Sequence, residues 1–147
     1  MHHEPLPPAC ACTLLRKAAR VAGRLYDAAL AGHDMSIAQF ALLRHIARGE
    51  PLALSRLAEQ LEMDRSSLYR AIAPLEKRGW VEVTPGAGRS KAARLTEAGR
   101  AALHAAEPDW AAMQHRVEAE VGTALWKVMK SGIETLSQGI ERAGARA

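Results

Sequence analysis

What the sequence lacks narrows the field first. No apolar run approaches the roughly 18 residues that a membrane-crossing helix needs. The opening MHHEPLPP also has no apolar stretch of the kind a secretion signal carries. The expectation is a cytoplasmic protein without membrane contact. Thiols are scarce, with Cys10 and Cys12 the only two in 147 residues. There is no phosphate-cradling P-loop, no Ser or Cys nucleophile with a matched base, and no set of metal ligands. His2 and His3 stand without a ligand cluster, and His33, His45, His104 and His115 have no binding spacing. No catalytic residue, metal or cofactor is therefore assigned, and the chain is not expected to be an enzyme.

What is present describes one globular domain over residues 1–147, with 48% apolar and 24% charged residues. A net charge of +4 and a pI near 9.4 favour an anionic partner. Charge alone fits an acidic protein or a membrane surface equally well. Residues 1–9 are Pro-rich and read as an extended arm.

The chain is organised around SRLAEQLEMDRSSLYRAIAPLEKRGWVEVTPGAGRSKAARLT, residues 55–96. Leu54, Leu57, Ala58 and Leu61 give a short helix one apolar side, and Glu62-Met63 leaves only a turn before Asp64, a good N-cap. In the next helix Leu68, Ala71, Ile72 and Leu75 share a face at about 100° per residue. Ser66, Arg70, Ala73 and Lys77 point the other way, flanked by Ser67 and Tyr69. Such a stripe reads either as an ordinary solvated face or as a surface for the major groove, where Arg forks onto guanine and Ser bonds base edges or phosphates. Two helices joined so tightly make a helix-turn-helix. Pro74 predicts a kink at a cost of roughly 3 kcal/mol, and Gly79 a stop. After it, Trp80 to Val83 alternates as a strand, residues 84–88 form a loop tip, and Arg89, Lys91 and Arg94 make the returning arm basic. The expectation is a two-stranded cationic wing suited to phosphate or minor-groove contact.

The run LSRLAEQLEMDRSSLYRAIAPLEKRGWVE, with a Gly-rich basic hairpin and LTEAG after it, resembles the winged helix-turn-helix of the MarR family of bacterial transcriptional regulators. The resemblance extends over nearly the whole chain. It implies a mostly α fold with a small antiparallel β wing, in which a winged helix-turn-helix at about 36–96 is flanked by dimerisation helices at about 11–31 and 97–143. It also implies DNA contacts from Arg65, Ser66, Ser67, Tyr69, Arg70, Lys77, Arg89, Lys91 and Arg94. The family's wing usually carries Asp two residues before its main Arg. Here Ala87 stands before Arg89, so the acidic partner is missing.

The flanks have their own patterns. CTLLRKAARVAGRLYDAALAG is helical, with Leu14, Ala18, Val21, Leu25 and Ala29 on one side, and Gly32 is expected to end it. Ser36 with Gln39 is a capping box opening a helix to Arg48. Thr96 caps a long helix to about Glu120 with a bend at Pro108, and Gly122 marks a break. The last helix carries Leu125, Val128, Met129, Ile133, Leu136 and Ile140 near coiled-coil spacing. That seam predicts a second copy or a fold-back on the first helix. A twofold homodimer places two reading helices on a palindromic operator. If both thiols were helical they would point about 200° apart, against an internal disulfide. Cys10 and Cys12 then read either as reduced thiols or, by the resemblance, as oxidant sensors. The resemblance further implies a repressor released by an aromatic or phenolic effector, and Tyr26, Phe40, His45 and Trp110 are the expected crevice, with core packing the other reading of the four. A winged-helix adaptor for protein partners and a sequence-indifferent architectural protein are the alternatives.

Overall fold

The expected capping box starts the second helix. Ser36 Oγ accepts from the Gln39 N–H at 3.1 Å while Gln39 Oε1 accepts from the Ser36 N–H at 3.1 Å, two otherwise orphaned donors satisfied at once. In the computed structural model, which describes residues 9–146, this helix is α2 (Ile37–Gly49) and follows α1 (Ala11–Leu30). The Pro-rich arm with His2 and His3 lies outside the described residues, apart from Ala9. The first helix does not end on Gly32. A turn of 3-10 helix at Ala31–His33 continues it, and Asp34 in the left-handed region (φ 50°) makes the stop, a conformation that short polar side chains tolerate.

The helix-turn-helix is α3 (Leu54–Gln60) and α4 (Arg65–Lys77). Leu54, Leu57 and Ala58 of α3 and Leu68, Ile72 and Leu75 of α4 are buried, as their spacing predicts. Helix α4 runs unbroken through Pro74. Three fully buried aliphatic side chains at about 1.5–3 kcal/mol each outweigh roughly 3 kcal/mol for one interior proline. The helix then closes on Gly79 (φ 72°). The Trp80 N–H reaches the Leu75 carbonyl at 3.0 Å and the Gly79 N–H reaches the Glu76 carbonyl at 2.9 Å, a Schellman closure.

The wing has three strands where two were expected. β2 (Val81–Pro85) and β3 (Lys91–Leu95) form the antiparallel hairpin, with Val81 opposite Leu95 and Pro85 opposite Lys91. β1 (Leu52–Ala53) adds to the other edge of β3, pairing Leu52 with Ala93 and Ala53 with Ala92. Two residues are too few to show alternation in a sequence. Ala93 and Leu95 point into the core with Phe40, Leu43 and Ile46 of α2.

Helix α5 (Glu97–Val121) passes through Pro108, and Gly122 (φ 83°) separates it from α6 (Thr123–Gly144). The chain divides into two compact units at residues 110/111. In the first unit, the start of α5 is fixed by Thr96. Its hydroxyl donates to the Gly79 carbonyl (2.6 Å) and accepts from the Gly99 N–H (3.0 Å), and its N–H donates to the Trp80 carbonyl (3.0 Å). A Cβ at Gly99 would stand 2.0 Å from the Trp80 oxygen. Gly99→Ala is therefore expected to lower stability by about 1–3 kcal/mol in urea denaturation; an unchanged midpoint would show that this junction yields without cost.

Candidate nucleic-acid interface

Ser66, Arg70, Ala73 and Lys77 are all exposed along α4, and Ser67 and Tyr69 are half-buried beside them. Arg65 begins the helix with its guanidinium carbon 6.0 Å from the Tyr69 ring centroid, and Lys91 of β3 brings its Nζ to 5.7 Å from the same ring. Tyr69 thus links the start of α4 to the wing. Between them lies a cleft of about 320 Å³, lined among others by Leu54, Tyr69, Ile72, Glu76, Val83 and Lys91.

The wing cations are not equivalent. Lys91, Ala93 and Leu95 share one face of β3, whereas Arg94 projects from the other and donates Nε–H to Glu82 Oε2 at 2.8 Å. Arg94, one of the expected DNA contacts, is paired, and the hairpin register that opposes it to Glu82 is the signal for that pairing. An exposed pair of this kind adds little stability, so its main effect is to neutralise local charge. Arg89 is exposed at the tip and makes no ion pair among the described residues. Although Ala87 brings no carboxylate, its carbonyl accepts from the Ser90 N–H (3.2 Å) and hydroxyl (2.5 Å), while the Gly86 N–H donates to the Ser90 carbonyl (2.8 Å). Main-chain bonds order the tip in place of the missing acid. Arg78 is held away, donating to the Asp34 carbonyl with its guanidinium carbon 3.6 Å from the Trp80 ring centroid.

Asp64 does more than its sequence position announced. Its carboxylate accepts from the Ser67 N–H (2.9 Å), the Ser67 hydroxyl (2.6 Å) and the Ser66 hydroxyl (2.7 Å). The Ser67 hydroxyl, then its N–H, then the Ser66 hydroxyl hold this carboxyl far below the usual carboxylate range, with Arg70 adding a smaller push.

Of the four expected crevice residues, Phe40 and Trp110 meet. Phe40 is buried and stacks on Trp110 with centroids 5.4 Å apart, as core packing. Arg44 covers Trp110 at 3.9 Å from its centroid, and burial is the first cause that lowers its pKa, ahead of repulsion from Arg48. His45 donates its Nδ1–H to the Ala41 carbonyl of its own helix at 2.8 Å and lines a separate groove of about 330 Å³ with Arg48, Gly49 and Gln60. Tyr26 lies half-buried on α1. Cys10 and Cys12 are both exposed. Cys10 is the extended N-cap of α1, so the helical geometry that would part the two thiols does not apply to it. The Thr13 backbone, then the Thr13 hydroxyl, then the Cys12 backbone lower the Cys10 pKa.

Because the Asp64 carboxyl is depressed in the folded state, its contribution to stability is present above the ordinary carboxylate pKa of about 4 and is lost as pH falls through the lower folded value. Acid denaturation of Asp64→Asn, which keeps a capping oxygen, is expected to show a shallower fall below pH 4 than the parent. Superimposable acid curves would contradict the hydrogen-bonding account.

Comparison with known proteins fits this geometry. The MarR family profile matches residues 33–90. The Mycobacterium tuberculosis transcriptional regulator MosR, solved in complex with DNA, is 36% identical; the match covers 92% of this chain and 98% of that one, with a TM-score of 0.84. A Mycobacterium tuberculosis MarR family protein in complex with p-aminosalicylic acid is 26% identical over 88% of this chain and 99% of its own, with a TM-score of 0.62. An uncharacterised HTH-type transcriptional regulator of Bacillus cereus is 36% identical over 81 residues, 55% of this chain and 54% of the relative. The chain thus spans about half the length of the curated relatives it matches. On the motif, the fold and the near-complete match to MosR, the chain belongs to the MarR family of winged helix-turn-helix transcriptional regulators.

Proposed function

We propose that this protein is a sequence-specific DNA-binding transcriptional regulator that reads a palindromic double-stranded operator as a homodimer. The observation that carries this reading is the exposed, acid-free outer stripe of α4, centred on Arg70 and flanked by Lys91 and Arg89 of the wing. Arg70 reads base edges in the major groove, and Arg89 and Lys91 meet phosphates. Arg94 contributes only once DNA draws it from Glu82. The MosR complex with DNA supports the same use of this fold.

The second copy is supported by two apolar stripes left in solvent. On α1, Leu14, Val21 and Leu25 are exposed. On α6, Leu125, Val128, Met129, Ile133, Leu136 and Ile140 are exposed, Val128 to 66%. An apolar stripe of such length is ordinarily covered in a stable soluble assembly, and a second copy of the chain is the cover proposed for each. The DNA-competent state responds to a small-molecule effector, as the relative holding p-aminosalicylic acid suggests. An oxidant is a second input, favoured by the exposed, pKa-lowered Cys10.

Three measurements follow. Arg70→Ala is expected to relax preference at one base pair by roughly 1–3 kcal/mol, while Arg89→Ala weakens all duplexes evenly and reduces the salt slope by about 1; a parent without sequence preference, whose binding to a protein partner survives both substitutions, would favour the protein-adaptor reading. In sedimentation the protein is expected as a dimer and Val128→Glu/Ile133→Glu as a monomer, whereas a parent that is monomeric at every concentration excludes the paired arrangement. If replacing Cys10 and Cys12 with Ser leaves peroxide-induced DNA release unchanged, the oxidant input is wrong.

A further inference from the structure

The side chains at the start of α4 form a directed chain, and its direction follows from their chemistry. An ionised carboxylate only accepts hydrogen bonds and a guanidinium only donates them. Ser67 Oγ lies 2.6 Å from Asp64 Oδ2, so the serine donates there. Its one proton is then spent, and its lone pairs are left for Arg70 Nη2, which donates to it at 3.1 Å. Ser66 Oγ is oriented the same way, donating to Asp64 Oδ1 at 2.7 Å. Arg70 makes no ion pair among the described residues, and this relay is its polar anchor. The relay turns a long, exposed side chain back along the face of the helix that points outward.

We infer that Asp64 is a positioning residue for sequence reading: through the Ser67 hydroxyl it fixes the guanidinium of Arg70 before DNA arrives, and so sets how sharply Arg70 discriminates its base pair. A flexible arginine loses rotamer freedom when it forks onto a base. One already held in place loses less, and the saving applies only where the base offers matching acceptors. The carboxylate also sits at the edge of the phosphate-facing surface, where its negative charge disfavours binding that does not engage Arg70. Capping alone does not require this arrangement, because the Ser67 N–H at 2.9 Å already satisfies the cap.

The inference rests on α4 being the reading helix, and the test separates the two. Asp64→Asn retains a capping oxygen and a preferred N-cap residue type but offers one acceptor oxygen with two lone pairs to the three donors that the carboxylate holds. Ser67→Ala removes the relay and leaves Asp64 charged. Both are placed in the full-length protein, alone and combined with Arg70→Ala, and folding is checked by circular dichroism. Competition binding then compares the operator with duplexes changed at single base pairs. Each variant is expected to lower discrimination at the Arg70 base pair by about two- to tenfold without weakening binding to random duplex, and to have no such effect in the Arg70→Ala background. Equal losses in both backgrounds would place the effect in the helix end and overturn the inference, as would undiminished discrimination in either single variant. If Arg70→Ala itself discriminates as the parent does, the reading assigned to α4 fails, and this proposal with it.

Discussion

The structure depends on one junction, where Thr96 gathers the end of α4, the base of the wing and the start of α5. Its hydroxyl is donor to Gly79 and acceptor from Gly99, its N–H meets Trp80, and Gly99 presses so close to the Trp80 carbonyl that no side chain fits. The Schellman closure at Gly79 leaves that carbonyl free to be used in this way. Helix α4 is consequently held at its far end by bonds to the same residues that launch α5, while at its near end Asp64 organises Ser66 and Ser67.

Much of this was legible in the sequence because it is local. The Ser36 and Gln39 box, the Asp64 cap, the Gly79 stop and the Gly122 break each depend on residues within four positions. The buried faces of α3 and α4 follow from spacing alone. The LTEAG segment could be recognised by resemblance, but its physical reason, a glycine under a carbonyl nineteen residues earlier in the chain, needs the fold.

The rest was hidden for identifiable reasons. β1 is two residues long and exists because β3 offers it an edge. The pairing of Arg94 with Glu82 needs the hairpin register, which composition does not show. Phe40 and His45 sit on one helix yet serve different surroundings, the first the Trp110 stack and the second the groove with Arg48 and Gln60. Glu50 joins its neighbours at a distance too: one oxygen accepts from the Leu95 N–H and the other pairs with Arg100, both at 2.5 Å. Asp64 was visible as a cap, but its hold on two hydroxyls is a matter of rotamers that no spacing rule encodes.

These features describe an exposed cationic face on α4 and the wing, the surface proposed to read DNA. The most direct test is fluorescence anisotropy of the full-length protein with the duplex upstream of its own gene against a scrambled duplex of equal length and composition, at one fixed salt concentration. The account predicts tighter binding to the upstream duplex by about a thousandfold or more. Equal affinity for the two sequences would contradict it.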